Sequence, residues 1–105
     1  MKIVGLETFP VSIAYSHMER SSRVNRGGVT DVVVKLTTDE GLVGWGEACS
    51  GADTASIDAG LRAMAKFVVG RDPWQGEAIA RDVFGAGLWD YRPMTGNFAF
   101  AGIDM

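Results

Sequence analysis

The chain carries a single cysteine, Cys49, a single histidine, His17, and three prolines in 105 residues. One thiol excludes an intrachain disulfide and any zinc cage built on paired cysteines, and it suits a reducing compartment, with the cytoplasm as the default. No metal-ligand cluster is legible. No apolar run approaches the roughly 20 residues that span a bilayer, and Met1 leads straight into a strand pattern with no basic and apolar leader before it, so no membrane segment is expected. Basic residues are outnumbered by acidic ones, and the net charge of −3 argues against nucleic acid. A phosphate loop is missing too. Gly44-Trp45-Gly46 lacks the third glycine and sits inside a strand pattern, and Gly85-Ala86-Gly87 follows a helical pattern where a strand is required. No internal repeat or low-complexity tract occurs.

What is present is 47% hydrophobic and 22% charged, too apolar for a disordered tail. A chain of this length forms one domain and buries about two-thirds of its unfolded surface. Its clearest local signal is residues 30–47. Two runs rich in β-branched and apolar residues, 32–36 and 42–45, flank Asp39-Glu40-Gly41, and Gly41 can supply the positive φ of a bulged three-residue hairpin loop. Alternation puts Val32, Val34 and Leu36 on one face, to be covered by helices, and Val33, Lys35 and Thr37 on the other, partly wet face.

Ahead of the hairpin, residues 2–9 read as a first strand that Pro10 forces into an edge or extended path. Residues 15–28 lose all apolar periodicity and end in Gly27-Gly28, which reads as a loop of functional length with a glycine hinge. After the hairpin, Asp53 or Thr54 caps a helix whose stripe is Ile57, Leu61, Met64, Ala65 and Val68, and Gly70 ends it. Asp72-Pro73, with Gln75, starts a second helix running to about Phe84, where Gly85-Ala86-Gly87 is expected to stop it. Residues 88–94 read as loop, with Trp89, Tyr91 and Pro93 packed beneath. A last helical face, Phe98, Ala101, Gly102 and Met105, has no terminating signal, so the chain is expected to be a piece of a longer protein.

The closing strand Gly41-Leu42-Val43-Gly44-Trp45-Gly46-Glu47-Ala48, the opening strand from Met1 to Thr8, and the final Ala101-Gly102-Ile103-Asp104-Met105 occur in this order across essentially the whole chain. In this arrangement the chain resembles the N-terminal capping domain of the enolase superfamily, in its mandelate racemase and muconate-lactonizing branch. The resemblance implies an α+β fold, a three-stranded antiparallel meander followed by a helical bundle. Residues 1–105 would be the capping domain together with the start of a helix leading into a C-terminal β/α barrel. That barrel would bind Mg2+ and carry the acid and base residues that remove a proton next to a carboxylate, in racemases and epimerases, cycloisomerases or acid-sugar dehydratases. No catalytic residue and no metal ligand is then expected in this chain. The implied partners are a small carboxylate substrate, the chain's own barrel and further copies in a homo-oligomer.

On the same terms residues 15–28 become a lid over the barrel mouth, with Tyr15 and His17 as substrate contacts. Arg20, Arg23 and Arg26 recur every third residue and form a cationic fringe suited to carboxylates, without the aromatic interleaving of a nucleic-acid site. Ser50 and Gly51, after the third strand, inherit the role of a second pocket wall. Glu47 reads as a structural carboxylate satisfied by a basic or backbone donor. Cys49 is expected to fill space, and Trp45, Trp74 and Trp89 to anchor the core or an interface. A free-standing dimerisation domain and a non-catalytic small-molecule module are the rival readings, and neither accounts for the order of the motifs.

If the turn is read correctly, Gly41→Val forces a β-branched residue into left-handed backbone and costs more than about 1 kcal/mol. The measurement is thermal unfolding of the variant, and an unchanged melting curve would show that the turn is misread.

Overall fold

Strand β1 (Ile3–Arg20), strand β2 (Asn25–Thr38) and strand β3 (Val43–Ala48) form one antiparallel sheet in the order β1-β2-β3 in the computed structural model. Residues 1–49, 53–91 and 94–105 are described, the side chains of 87–90 excepted. Gly41 has φ of 83° and its N–H donates to Thr38 O at 3.1 Å, while Thr38 N donates to Leu42 O at 2.9 Å. The bulged hairpin turn is therefore formed as the sequence indicates. Val32 and Val34 are buried and Leu36 packs against the core, whereas Val33, Lys35 and Thr37 are half-buried on the opposite face.

The first strand is much longer than its apolar pattern. β1 runs on past Phe9 through Pro10, which pairs with Val32, and an edge strand tolerates the missing N–H because that side need not face a partner. Residues 15–28 are accordingly not an open loop. β1 and β2 continue beyond the Ala14–Gly28 pair, shift register, and pair again at Glu19–Arg26 and Arg20–Asn25. Ser21 closes the tip: its Oγ donates to Val24 O at 2.8 Å and accepts from Val24 N at 3.0 Å. Gly27 and Gly28 lie inside β2 rather than in a hinge. The sequence hides this hairpin because neither of its faces is covered, so nothing selects apolar residues at alternate positions.

The helices cover the other face of the sheet. Helix α1 (Thr54–Val68) is capped by Asp53, which accepts from Ser56 N at 3.0 Å, and it buries Ile57, Leu61, Met64 and Val68. Gly70, with φ of 89°, turns the chain out of the helix. There Ile3 N donates to Arg71 O and Gly70 N to Ile3 O, both at 2.8 Å, tying the exit of α1 to the start of β1. Asp72 accepts from Trp74 N at 3.0 Å and opens a short 3₁₀ turn, Pro73–Gln75, that leads into α2 (Gly76–Tyr91).

Helix α2 passes straight through Gly85-Ala86-Gly87 instead of ending near Phe84, and much of the expected loop over 88–94 is helix. Each glycine costs a helix about 1 kcal/mol, a penalty that aromatic packing on both sides outweighs. Phe84 meets Phe100 at 5.2 Å before the glycines, and Tyr91 meets Phe67 at 6.5 Å after them, both edge to face. Pro93 lies outside the described residues. Helix α3 (Met94–Asp104) buries Gly96, Ala99, Phe100, Gly102 and Ile103. The stripe read from the sequence is thus displaced: Gly102 belongs to the buried face, but Ala101 and Met105 are exposed and Phe98 is only partly buried. Small residues set this face, and a count of large apolar side chains misses them.

Gly102 is the point where α3 lies down on the sheet. A Cβ at Gly46 would run into the Gly102 carbonyl, and one at Gly102 would stand 2.9 Å from Ala48 Cβ and 3.0 Å from Val34 Cγ2. Gly46→Ala is therefore expected to lower stability by about 1 to 3 kcal/mol through overpacking. Gly44→Ala, two residues away with nothing within 4 Å of its Cβ, should leave stability nearly unchanged. Urea titrations with equal slopes and separated midpoints would establish the difference, and equal midpoints would refute the contact.

Candidate functional site

The hairpin formed by the far ends of β1 and β2 collects most of the candidate residues. Tyr15, His17 and Arg20 stand on one arm, Arg23 in the tip and Arg26 on the other arm. All five side chains are exposed. Ser16 Oγ and His17 Nδ1 lie 3.2 Å apart, and the Arg23 N–H donates to Ser21 Oγ at 3.4 Å. Glu19 pairs with Arg26 in the strand register, yet among the described residues none of the three arginines is in an ion pair. The structure so brings three guanidinium groups to one hairpin end with their donors available. Ser50 and Gly51 lie outside the described residues.

Among the described residues Glu47 meets no basic or backbone donor of the kind expected. Strand register pairs Val33 with Glu47 and Val11 with Asp31, which sets Asp31 and Glu47 diagonally on the sheet face turned away from the helices. The hydrogen bond to Asp31, then the Asp31 charge, then burial hold the Glu47 carboxyl above the usual carboxylate range. Asp31 itself is only 5% exposed, and its Oδ1 has no hydrogen-bond partner. The sequence reading passed over Asp31. Its signal was an acid set into the apolar run of Asp31-Val32-Val33-Val34, where a charge needs a reason.

Among the described residues no three His, Cys, Asp or Glu side chains lie together as a metal-binding set. Two of the expected anchors are on the surface. Trp45 packs on Phe9 with ring centroids 6.2 Å apart and lies 5.8 Å from Lys35 Nζ, while Trp74 is 84% exposed. The Trp89 side chain falls outside the described residues, and Cys49 is half-buried. Trp74 rims an apolar cleft of about 390 Å³ between Leu42, Ile79, Phe100 and Met105, at the opposite end of the sheet from the hairpin. Among the described residues no helix is long and apolar enough to cross a membrane.

The carboxyl pair sets a pH dependence. Because the folded state raises the Glu47 pKa, the folded chain holds more protons than the unfolded one between the ordinary carboxylate value and the raised value. Stability then falls as pH rises through that window. Glu47→Gln keeps a hydrogen-bond donor without the charge, so the variant should lose this slope and melt at or above the parent temperature near neutral pH. Melting temperatures from about pH 4 to pH 8 decide it, and parallel profiles for parent and variant would refute the pairing.

Residues 3–105 match the family model for the mandelate racemase / muconate lactonizing enzyme, N-terminal domain. A D-galactonate dehydratase from Pectobacterium atrosepticum is 32% identical over 71 residues, which cover 68% of this chain and 18% of that protein. The chain therefore spans under a fifth of that relative's length. An enolase from Streptomyces coelicolor superposes with a TM-score of 0.85 at 31% identity, over 99% of this chain and 26% of that one. A dipeptide epimerase from Enterococcus faecalis V583, complexed with Mg and the dipeptide L-Leu-L-Tyr, shares the fold at a TM-score of 0.76 and 20% identity, over 85% of this chain and 27% of that one. With the meander, the helices behind it and the glycine contact that joins them, the chain belongs to the mandelate racemase / muconate lactonizing enzyme family, of whose members it forms the N-terminal domain.

Proposed function

We propose that this chain is the substrate-capping and specificity domain of a magnesium-dependent enzyme that removes the proton next to a carboxylate. The observation that carries the reading is the β1–β2 hairpin, which extends beyond the covered sheet and presents Tyr15, His17, Arg20, Arg23 and Arg26 to solvent. The likeness to D-galactonate dehydratase favours an acid-sugar dehydratase over a racemase, epimerase or cycloisomerase. Residues 1–105 cap a C-terminal β/α barrel, and α3 begins the connection into it. The metal, held by the barrel, supplies charge stabilisation to a weak carbon acid.

The work of this chain is to exclude water and hold the end of the substrate distant from the reacting carbon. An arginine fork grips a carboxylate or hydroxyl-rich chain in fixed orientation, and positive charge at the hairpin tip raises the local concentration of an anionic substrate. Tyr15 and His17, nearer the sheet, give contacts that discriminate one substrate from another, and Ser50 and Gly51 add a second wall. Further copies of the protein are its partners in a homo-oligomer. The lone thiol, Cys49, favours the cytoplasm.

Replacing residues 15–28 of the full-length enzyme with a glycine-serine segment is expected to change kcat/KM by tenfold or more, about 1.4 kcal/mol, and to reorder its substrates. Metal affinity and melting temperature should move little, since no core residue is removed. Unaltered rates and an unaltered substrate ranking would mean that the hairpin is only a connection.

A further inference from the structure

Asp31 and Glu47 present a problem of charge that the described residues do not solve. Asp31 is about nineteen-twentieths buried and leaves Oδ1 without a partner, while Glu47 beside it is exposed. A buried carboxylate normally takes a cation or several N–H donors, and a second carboxylate next to it adds repulsion. Among the described residues no basic group pairs with either acid. Lys35, which alternation puts on the same face, is held by Glu7 at 3.4 Å and lies over Trp45. The head of α1 adds a further acid rather than a base: Thr54 Oγ1 donates to Thr30 O at 3.3 Å, and Asp53 is occupied with Ser56.

We propose that Asp31 and Glu47 together seat one organic cation, an arginine guanidinium or lysine ammonium carried by the barrel domain that this chain caps. The inference rests on the capping reading above. The pair lies at the root of the hairpin, below the Ala14–Gly28 pair, where a covering surface would meet the sheet. Exposed Glu47 gives the cation its entry, and buried Asp31 gives it a site from which water is excluded. Two carboxyls suit a planar guanidinium, which donates several N–H bonds in a fixed fork. A magnesium ion, which binds through one or two carboxylates with waters completing its octahedron, is the competing occupant that the test below separates.

The test is made on the full-length protein, with the Glu47 carboxyl carbon followed by NMR through a pH titration. A seated cation favours the charged form, so Glu47 is expected to titrate at or below the ordinary glutamate value of about 4.3. Glu47→Gln should then lower the melting temperature of the full-length protein at neutral pH, opposite in sign to the effect expected for an uncovered pair. A Glu47 midpoint above the ordinary value, with Glu47→Gln neutral or stabilising, would mean that the two acids share a proton and would overturn the proposal. Saturable shifts of the Glu47 resonance on adding magnesium chloride would overturn it as well, in favour of a metal site. Asp31→Asn risks misfolding because Asp31 is buried, whereas exposed Glu47 keeps the test sound. Failure of the capping reading would register separately, as unaltered kinetics on hairpin replacement.

Discussion

Everything in this fold depends on how closely the backbone of α3 approaches β3. At Gly46 and Gly102 two residues without Cβ atoms face each other, so the helix rests on the strand itself and not on a layer of side chains. That approach brings Phe100 and Ile103 into the core that Val32, Val34 and Ala48 supply from the sheet. It also places Ala99 against α1, where a Cβ at Gly60 would stand 3.5 Å from Ala99 Cβ. With ordinary residues at these positions, helix and sheet would separate by the thickness of a side chain and leave α1 and α3 without a shared interior.

Since all three helices gather on one face, the sheet divides into two regions of different stability. Below the Ala14–Gly28 pair, β1 and β2 are held by hydrogen bonds and by buried side chains. Above it, pairing is interrupted between Ala14 and Glu19, and no apolar face is covered. Local opening of the hairpin therefore exposes little apolar surface and costs much less than opening the sheet. Gly28 marks the boundary: a Cβ there would stand 2.5 Å from Ile13 O, so no side chain fits where the regular pairing ends.

The sequence disclosed features whose causes are local. The positive φ at Gly41, the Asp53 and Asp72 caps and the Ile57-Leu61-Met64-Val68 stripe all follow from neighbours within a few residues. Tertiary contacts decided the remainder. Gly85 and Gly87 look like a stop because propensity is local, yet Phe100 and Phe67 hold the helix across them. Small residues on α3 look featureless because their role is to make room. The Asp31–Glu47 pair needed the strand register, since the two acids lie sixteen positions apart in sequence and meet only when β2 and β3 align. The residues of the hairpin were singled out by type, spacing and family resemblance, but their strand pairing was not, because a ribbon exposed on both faces has no hydropathy signature.

The sheet thus carries opposite charges at two places, arginines at the tip of the β1–β2 hairpin and, at its root, Asp31 of β2 beside Glu47 of β3. Arg26 and Asp31 are five residues apart on β2, roughly 17 Å at strand rise. Physiological salt screens exposed charges over about 8 Å, so across two such lengths neither end much alters the field of the other. The negative root consequently does not cancel the positive field of the tip, and the tip does not supply a counter-charge to buried Asp31. The tip lies on β1 and β2 and the root pair on β2 and β3, so the two charges act independently, and any group that pairs with Asp31 has to come from a surface in direct contact with the root.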